Sequence, residues 1–259
     1  MTAGRLVLAS AAPSPLWFAT RAAGTVALVL LTAVVALGVV VAGRHEPRSV
    51  TRFEIGALHR NLSLLTLVFL AVHIVTAIAD TFVHLGWLIA VVPFSAGYRT
   101  LWLGLGTIAF DVLLAVAATS AIRLRLGRRR WKAVHWLAYG AWPVALLHAA
   151  GTGTDIRTRW QLGLYAVCLA VVLVACWWRI ARAGPGAVVV RLGLVAATVV
   201  VPVAVSLFVA AGPLQAGWSH RAGAPAVGVR PQAGQESTGQ SGTVQGGTVQ
   251  GGTVQGGTE

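Results

Sequence analysis

Residues 58–80 read LHRNLSLLTLVFLAVHIVTAIAD. The run is apolar enough to cross a bilayer, yet it keeps two imidazoles, His59 and His73, fourteen residues apart. Ionisable side chains are costly in hydrocarbon, and those found there mark functional sites by default. A second stretch, VHWLAYGAWPVALLH at 134–148, carries His135 and His148, thirteen residues apart. What these four side chains hold decides the reading of the whole chain.

Composition sets the environment. Of 259 residues, 56% are hydrophobic and 10% are charged. A water-facing surface takes about 25% charged residues, so this chain has too few to cover one and suits a lipid-facing surface instead. An all-α integral membrane protein follows. The net charge of +13 comes from short basic clusters between apolar runs. Such clusters fit membrane topology rather than nucleic-acid binding, and no nucleic-acid partner is expected.

Six stretches have about the length and apolarity of a membrane span. They cover 22–42, 55–79, 100–122, 133–150, 160–180 and 188–211. They define a six-helix domain over 22–212, preceded by an N-terminal arm at 1–21. Pro13 and Pro15 interrupt that arm, so a signal peptide is not expected there. Between spans two and three, the apolar core at 85–94 is too short to cross and reads as an interfacial or re-entrant segment.

Thirteen of the twenty Lys and Arg residues fall after spans one, three and five, Arg60 just inside span two among them. The positive-inside rule makes that side cytoplasmic and puts both termini outside a plasma membrane crossed several times. The tail at 213–259 is Gly-, Gln- and Thr-rich and ends in three copies of TVQGG. That composition cannot bury a core, and disorder is expected.

Spans two and four run in the same direction. His59 and His135 sit near their cytoplasmic ends, His73 and His148 near their outer ends. Fourteen and thirteen residues climb about 21 Å and about 19–20 Å, so the histidines form two pairs at two matched depths. A bis-histidine haem fits each pair. Zinc fits less well because it takes four ligands. A proton relay is the remaining candidate, in a transporter or channel without haem. Fourteen residues return a side chain to within about 40° of one face, whereas thirteen miss by about 140°. Pro143, between His135 and His148, is a candidate for absorbing that difference by a kink.

The two histidine pairs resemble the ferric reductase-like transmembrane domain over residues 22–180. This superfamily includes ferric reductases, the NADPH oxidase membrane domain and the haem subunit of the periplasmic methionine sulfoxide reductase system. The resemblance implies that His59 with His135, and His73 with His148, are axial ligands of two b-type haems. The oxidases and eukaryotic reductases carry a FAD and NAD(P)H domain that is not expected here, since no GxGxxG in a strand–helix unit occurs. The resemblance then implies a stand-alone bacterial electron carrier. Its donor is a quinol or a cytoplasmic flavoprotein, and its acceptor an extracytoplasmic protein or a metal ion.

Several residues stand beside this core reading. Arg60 is a candidate partner for a haem propionate or a topology charge, with Arg99 and Arg157 in similar positions on the outer face. Asp111, in span three, either carries a proton to a quinone or bonds a neighbouring helix. Asp80 and Asp155 each follow a ligand candidate by seven residues and read as helix-end groups. Gly140, Ala138, Ala141 and Ala145 allow close packing of a helix or a flat macrocycle. The tryptophans, Trp136 and Trp142 included, read mainly as an interfacial belt. Cys168 and Cys176 read as small apolar residues.

Overall fold

The computed structural model describes residues 14–42, 52–80, 85–152, 158–182, 188–215 and 217–218. Arg157, Asp155, His84 and the repeat tail lie outside the described residues. Seven α-helices and one short 3₁₀ turn account for nearly all of them, and no strand occurs among the described residues. The helices are α1 (Pro15–Val41), α2 (Arg52–Ala79), α3 (Thr100–Ala121), α4 (Arg123–Leu126), α5 (Arg128–Thr152), α6 (Arg159–Arg182) and α7 (Val188–Ala211). Five of them (α1, α2, α3, α6 and α7) are long and apolar enough to cross a membrane. The chain is a helical, multi-pass membrane protein.

Helices α1, α2 and α5 start ahead of their apolar runs, α1 and α5 by the most. α1 begins at Pro15, ahead of residue 22, because Ser14 caps it by accepting a hydrogen bond from the Trp17 amide at 3.0 Å. Proline in the first turn lacks only an amide that no helix would use, so Pro15 starts the helix instead of breaking it. α5 begins at Arg128 rather than 133, since its basic residues are good helix formers. Gly127, at φ 82°, makes the turn between α4 and α5. The exposed Arg123, Arg125, Arg128, Arg129, Arg130 and Lys132 crowd this junction, which is the basic end of the bundle.

α1 packs along α2, and α3 packs along α5. α1 also meets α5 and α6, which makes it the central helix. The core lies there: Leu28, Leu31 and Val35 of α1 pack with Trp142, Leu146 and Ala150 of α5 and with Tyr165 and Cys168 of α6. Trp142 is therefore a core residue rather than part of an interfacial belt. Its Nε1–H donates to Thr32 Oγ1 at 2.9 Å, and Thr32 in turn donates to the Leu28 carbonyl. Cys168 and Cys176 are buried free thiols in apolar surroundings, as small core residues would be.

The connection from α2 to α3 contains the 3₁₀ turn Trp87–Ala90. Thr107 of α3 donates to the Ile89 carbonyl at 2.7 Å and ties the turn down. Phe94 then lays its ring against Gly104, where any side chain would collide with it. Arg99, at φ 46°, reaches across to α5 and donates from one terminal nitrogen to the carbonyls of Gly151 and Thr152. These are among the last carbonyls of α5, which have no acceptor role inside the helix. A buried guanidinium thus closes the end of α5 opposite the basic end.

Candidate functional site

α2 and α5 carry His59, His73, His135 and His148, yet neither helix packs extensively against the other. The imidazoles bridge them. His59 faces His135 with ring centroids 6.2 Å apart and planes at 65°. His73 faces His148 at 6.4 Å and 80°. Both pairs form although α5 spaces its histidines by thirteen residues and α2 by fourteen. Pro143 lies within α5 between them.

The separation is informative. A metal held between two imidazoles at about 2.0 Å per bond, with each nitrogen about 1.1 Å from its ring centroid, places the centroids about 6.2 Å apart. Both pairs match that value. Among the described residues, no three His, Cys, Asp or Glu side chains converge as a metal cluster. Each pair therefore offers two nitrogens and no third protein ligand, a donor set that suits the axial positions of haem iron better than tetrahedral zinc.

At the end away from the basic cluster, the tautomers can be assigned. His73 Nδ1 lies 2.8 Å from the Thr20 carbonyl, and His148 Nδ1 lies 2.7 Å from the Trp102 carbonyl. A carbonyl only accepts, so each Nδ1 carries the proton and donates. Nε2 is left with its lone pair, which is the form a metal needs. Both contacts depend on glycine. A methyl group on Gly24 would lie 2.7 Å from His73 Nδ1, and one on Gly106 would lie 2.5 Å from His148.

The same end is tied further. Ser14 Oγ donates to Asp80 at 2.8 Å, and Thr20 donates to Thr76 at 2.9 Å. Asp80 is buried and joins the ends of α1 and α2. The ring of Trp102 packs against Gly151 and the rings of Phe208 and Trp218.

The basic end is built differently. Neither His59 Nδ1 nor His135 Nδ1 makes a hydrogen bond, although both are buried. His59 is directed toward the Val34 carbonyl, with Gly38 alongside, where a methyl group would sit 3.6 Å from its ring. His135 stacks on Trp131, with centroids 5.0 Å apart and planes at 29°. Trp131 Nε1–H donates to Ser120 Oγ at 3.2 Å.

The other candidates separate. Arg60 follows His59 on α2 and is exposed. Asp111 is half-buried in the middle of α3, away from both histidine pairs in depth. Trp136 is exposed, with Lys132 above its ring. Gly140 has open space around it, so the close approaches are made by Gly24 and Gly106 instead. Those glycines, Trp131 and the Arg99 contacts to α5 were not anticipated. One signal was present: Gly24 and Gly38 are fourteen residues apart, the same interval as His59 and His73.

The family model described as ferric reductase like transmembrane component matches residues 23–146. The match takes in His59, His73 and His135 and stops two residues short of His148. No curated protein and no solved structure matches the chain. The match, over a little under half of the chain, is consistent with a ferric reductase-like transmembrane domain, and a domain of this kind suggests electron transfer across the membrane.

Proposed function

We propose that the bundle is a dihaem b-type cytochrome that carries single electrons across a plasma membrane. The observation that carries this reading is the two cross-helix imidazole pairs, at 6.2 and 6.4 Å, one near each end of α2. His59 and His135 would hold one haem, His73 and His148 the other. When bound, haem supplies a one-electron couple. The chain supplies the ligands, their orientation and an apolar surround that excludes water. Two sites at two depths divide the low-dielectric path into shorter steps.

In this reading α5 is the sixth span. Its apolar part from residue 133 to Thr152 rises about 30 Å, the thickness of a bilayer core. The basic end faces the cytoplasm, which places both ends of the bundle's chain outside. Arg60 sits at the cytoplasmic end beside His59, where its guanidinium can pair with a propionate. The short 3₁₀ segment lies at the outer interface, where Trp87 is exposed. The donor is a quinol or a cytoplasmic flavoprotein, and the acceptor an extracytoplasmic protein or metal ion.

The test is a dithionite-reduced minus oxidised spectrum of the purified protein, with a pyridine haemochrome count. Two b-type haems per chain are expected. Colourless protein from cells amply supplied with haem would overturn the proposal and favour a histidine proton relay.

A further inference from the structure

The two histidine pairs are held in place by different means. In an α-helix, each carbonyl accepts from the amide four residues on, and the side chain at that later position leans back over it. Glycine at that position uncovers the carbonyl's flank. Gly24 stands four residues after Thr20, and Gly106 four residues after Trp102. Those are the two carbonyls that His73 and His148 use. Each glycine is a seat for an imidazole.

Helix register extends the pattern to the basic end. Gly24 meets His73 and Gly38 meets His59, so fourteen steps along α1 answer fourteen along antiparallel α2. Gly38 stands four residues after Val34, but this seat is wider and no hydrogen bond forms in it. On α3, Gly106 meets His148. No glycine follows Gly106 along α3, so α3 offers His135 no such seat. Trp131 holds His135 instead, one helical turn away, and is itself anchored to α3 through Ser120.

We infer that Gly106 and Trp131 are the positioning residues of His148 and His135, and that the two haem sites are inequivalent by construction. This rests on the dihaem reading above. A backbone acceptor on Nδ1–H makes an imidazole a stronger donor to a metal. A stronger donor favours the oxidised, more positive iron. The His73–His148 site has this effect from both ligands, whereas in the His59–His135 site neither Nδ1 makes a hydrogen bond and only His59 is directed toward a carbonyl, that of Val34. The ligand contribution therefore lowers the potential of the first site relative to the second.

The test is a redox titration with haem count and low-temperature EPR on the full chain, with each haem assigned by removing one of its histidines. Gly106→Ala should push the His148 ring off the Trp102 carbonyl. The potential of that haem rises and its low-spin g values shift, while the other haem is unchanged. Gly38→Ala, where a methyl group fits, should leave both haems unaltered. Trp131→Leu should change the g values of the His135 haem alone, and Trp131→Phe should restore them. If Gly106→Ala proves unstable, Gly24→Ala tests the matching seat of His73 and should raise the potential of the same haem. Two haems with potentials and g values unmoved by Gly106→Ala (or by Gly24→Ala) and by Trp131→Leu would overturn the inference. Wild-type protein without haem would instead remove the dihaem reading itself.

Discussion

The end of the bundle around His73 and His148 is held by hydrogen bonds, whereas the basic end around His59 and His135 is held by ring stacking. At the first end, two imidazoles, Ser14, Thr20 and Arg99 all donate to fixed acceptors on neighbouring helices. At the second, two buried Nδ1 atoms have no partner, and His135 rests on Trp131. Imidazoles at nearly the same separation are thus supported in two ways. Hydrogen bonds fix both the tautomer and the ring direction, while stacking fixes only the plane. The comparison teaches that a matching separation of imidazoles does not imply matching support.

The largest effect should come from the histidines. On the dihaem reading, His73→Ala or His148→Ala should reduce haem from two per chain to one and leave the basic-end haem spectrum intact. His59→Ala or His135→Ala should do the converse. Loss of both haems from any single variant would show that the ends are coupled and break the comparison.

Next is Arg99→Ala. It removes charge-assisted bonds to the Gly151 and Thr152 carbonyls, and hydrogen bonds to charged groups contribute about 1.5–3 kcal/mol. Thermal unfolding in detergent should register the loss. The His148 haem should dissociate at lower temperature than in wild type, with the His135 haem less affected.

Thr32→Val probes the middle, between the two ends. It strands the buried Trp142 Nε1–H, a cost of about 1–3 kcal/mol for an unpaired buried donor. Stability should fall without a change in either haem's potential. A potential shift at one end would mean that the core transmits strain selectively to that site.

The smallest effect should come from Arg60→Gln. The side chain is exposed, and stability should change by no more than about 0.5 kcal/mol. If it pairs with a propionate, the potential of the His59–His135 haem should fall slightly, because a positive charge has been removed near the iron. Redox titration of the two haems would show whether the effect is confined to that end.

Much of this was legible in the residues. The helix Val188–Ala211 coincides with its apolar run, since nothing but hydropathy decides it. The four histidines stood out because polar side chains are rare in such runs. Pro15 misled, because a proline reads as a breaker until its place in the first turn is known. Trp142 misled too, since a tryptophan in an apolar run looks the same whether its N–H meets headgroups or Thr32. Trp131 gave no signal as an imidazole support, because its partner Ser120 belongs to another helix.

The sequence by itself determined that the chain forms apolar helices for a membrane, which helices carry imidazoles, and at what depths. Hydropathy and a fixed rise per residue are local properties, readable along one strand of text. Only the tertiary structure decided how each imidazole is held. The acceptors are backbone carbonyls, which every residue has and no residue type announces. Whether one is open to a neighbour depends on a glycine four residues later and on the register of two helices, and register is set by packing rather than by either helix alone.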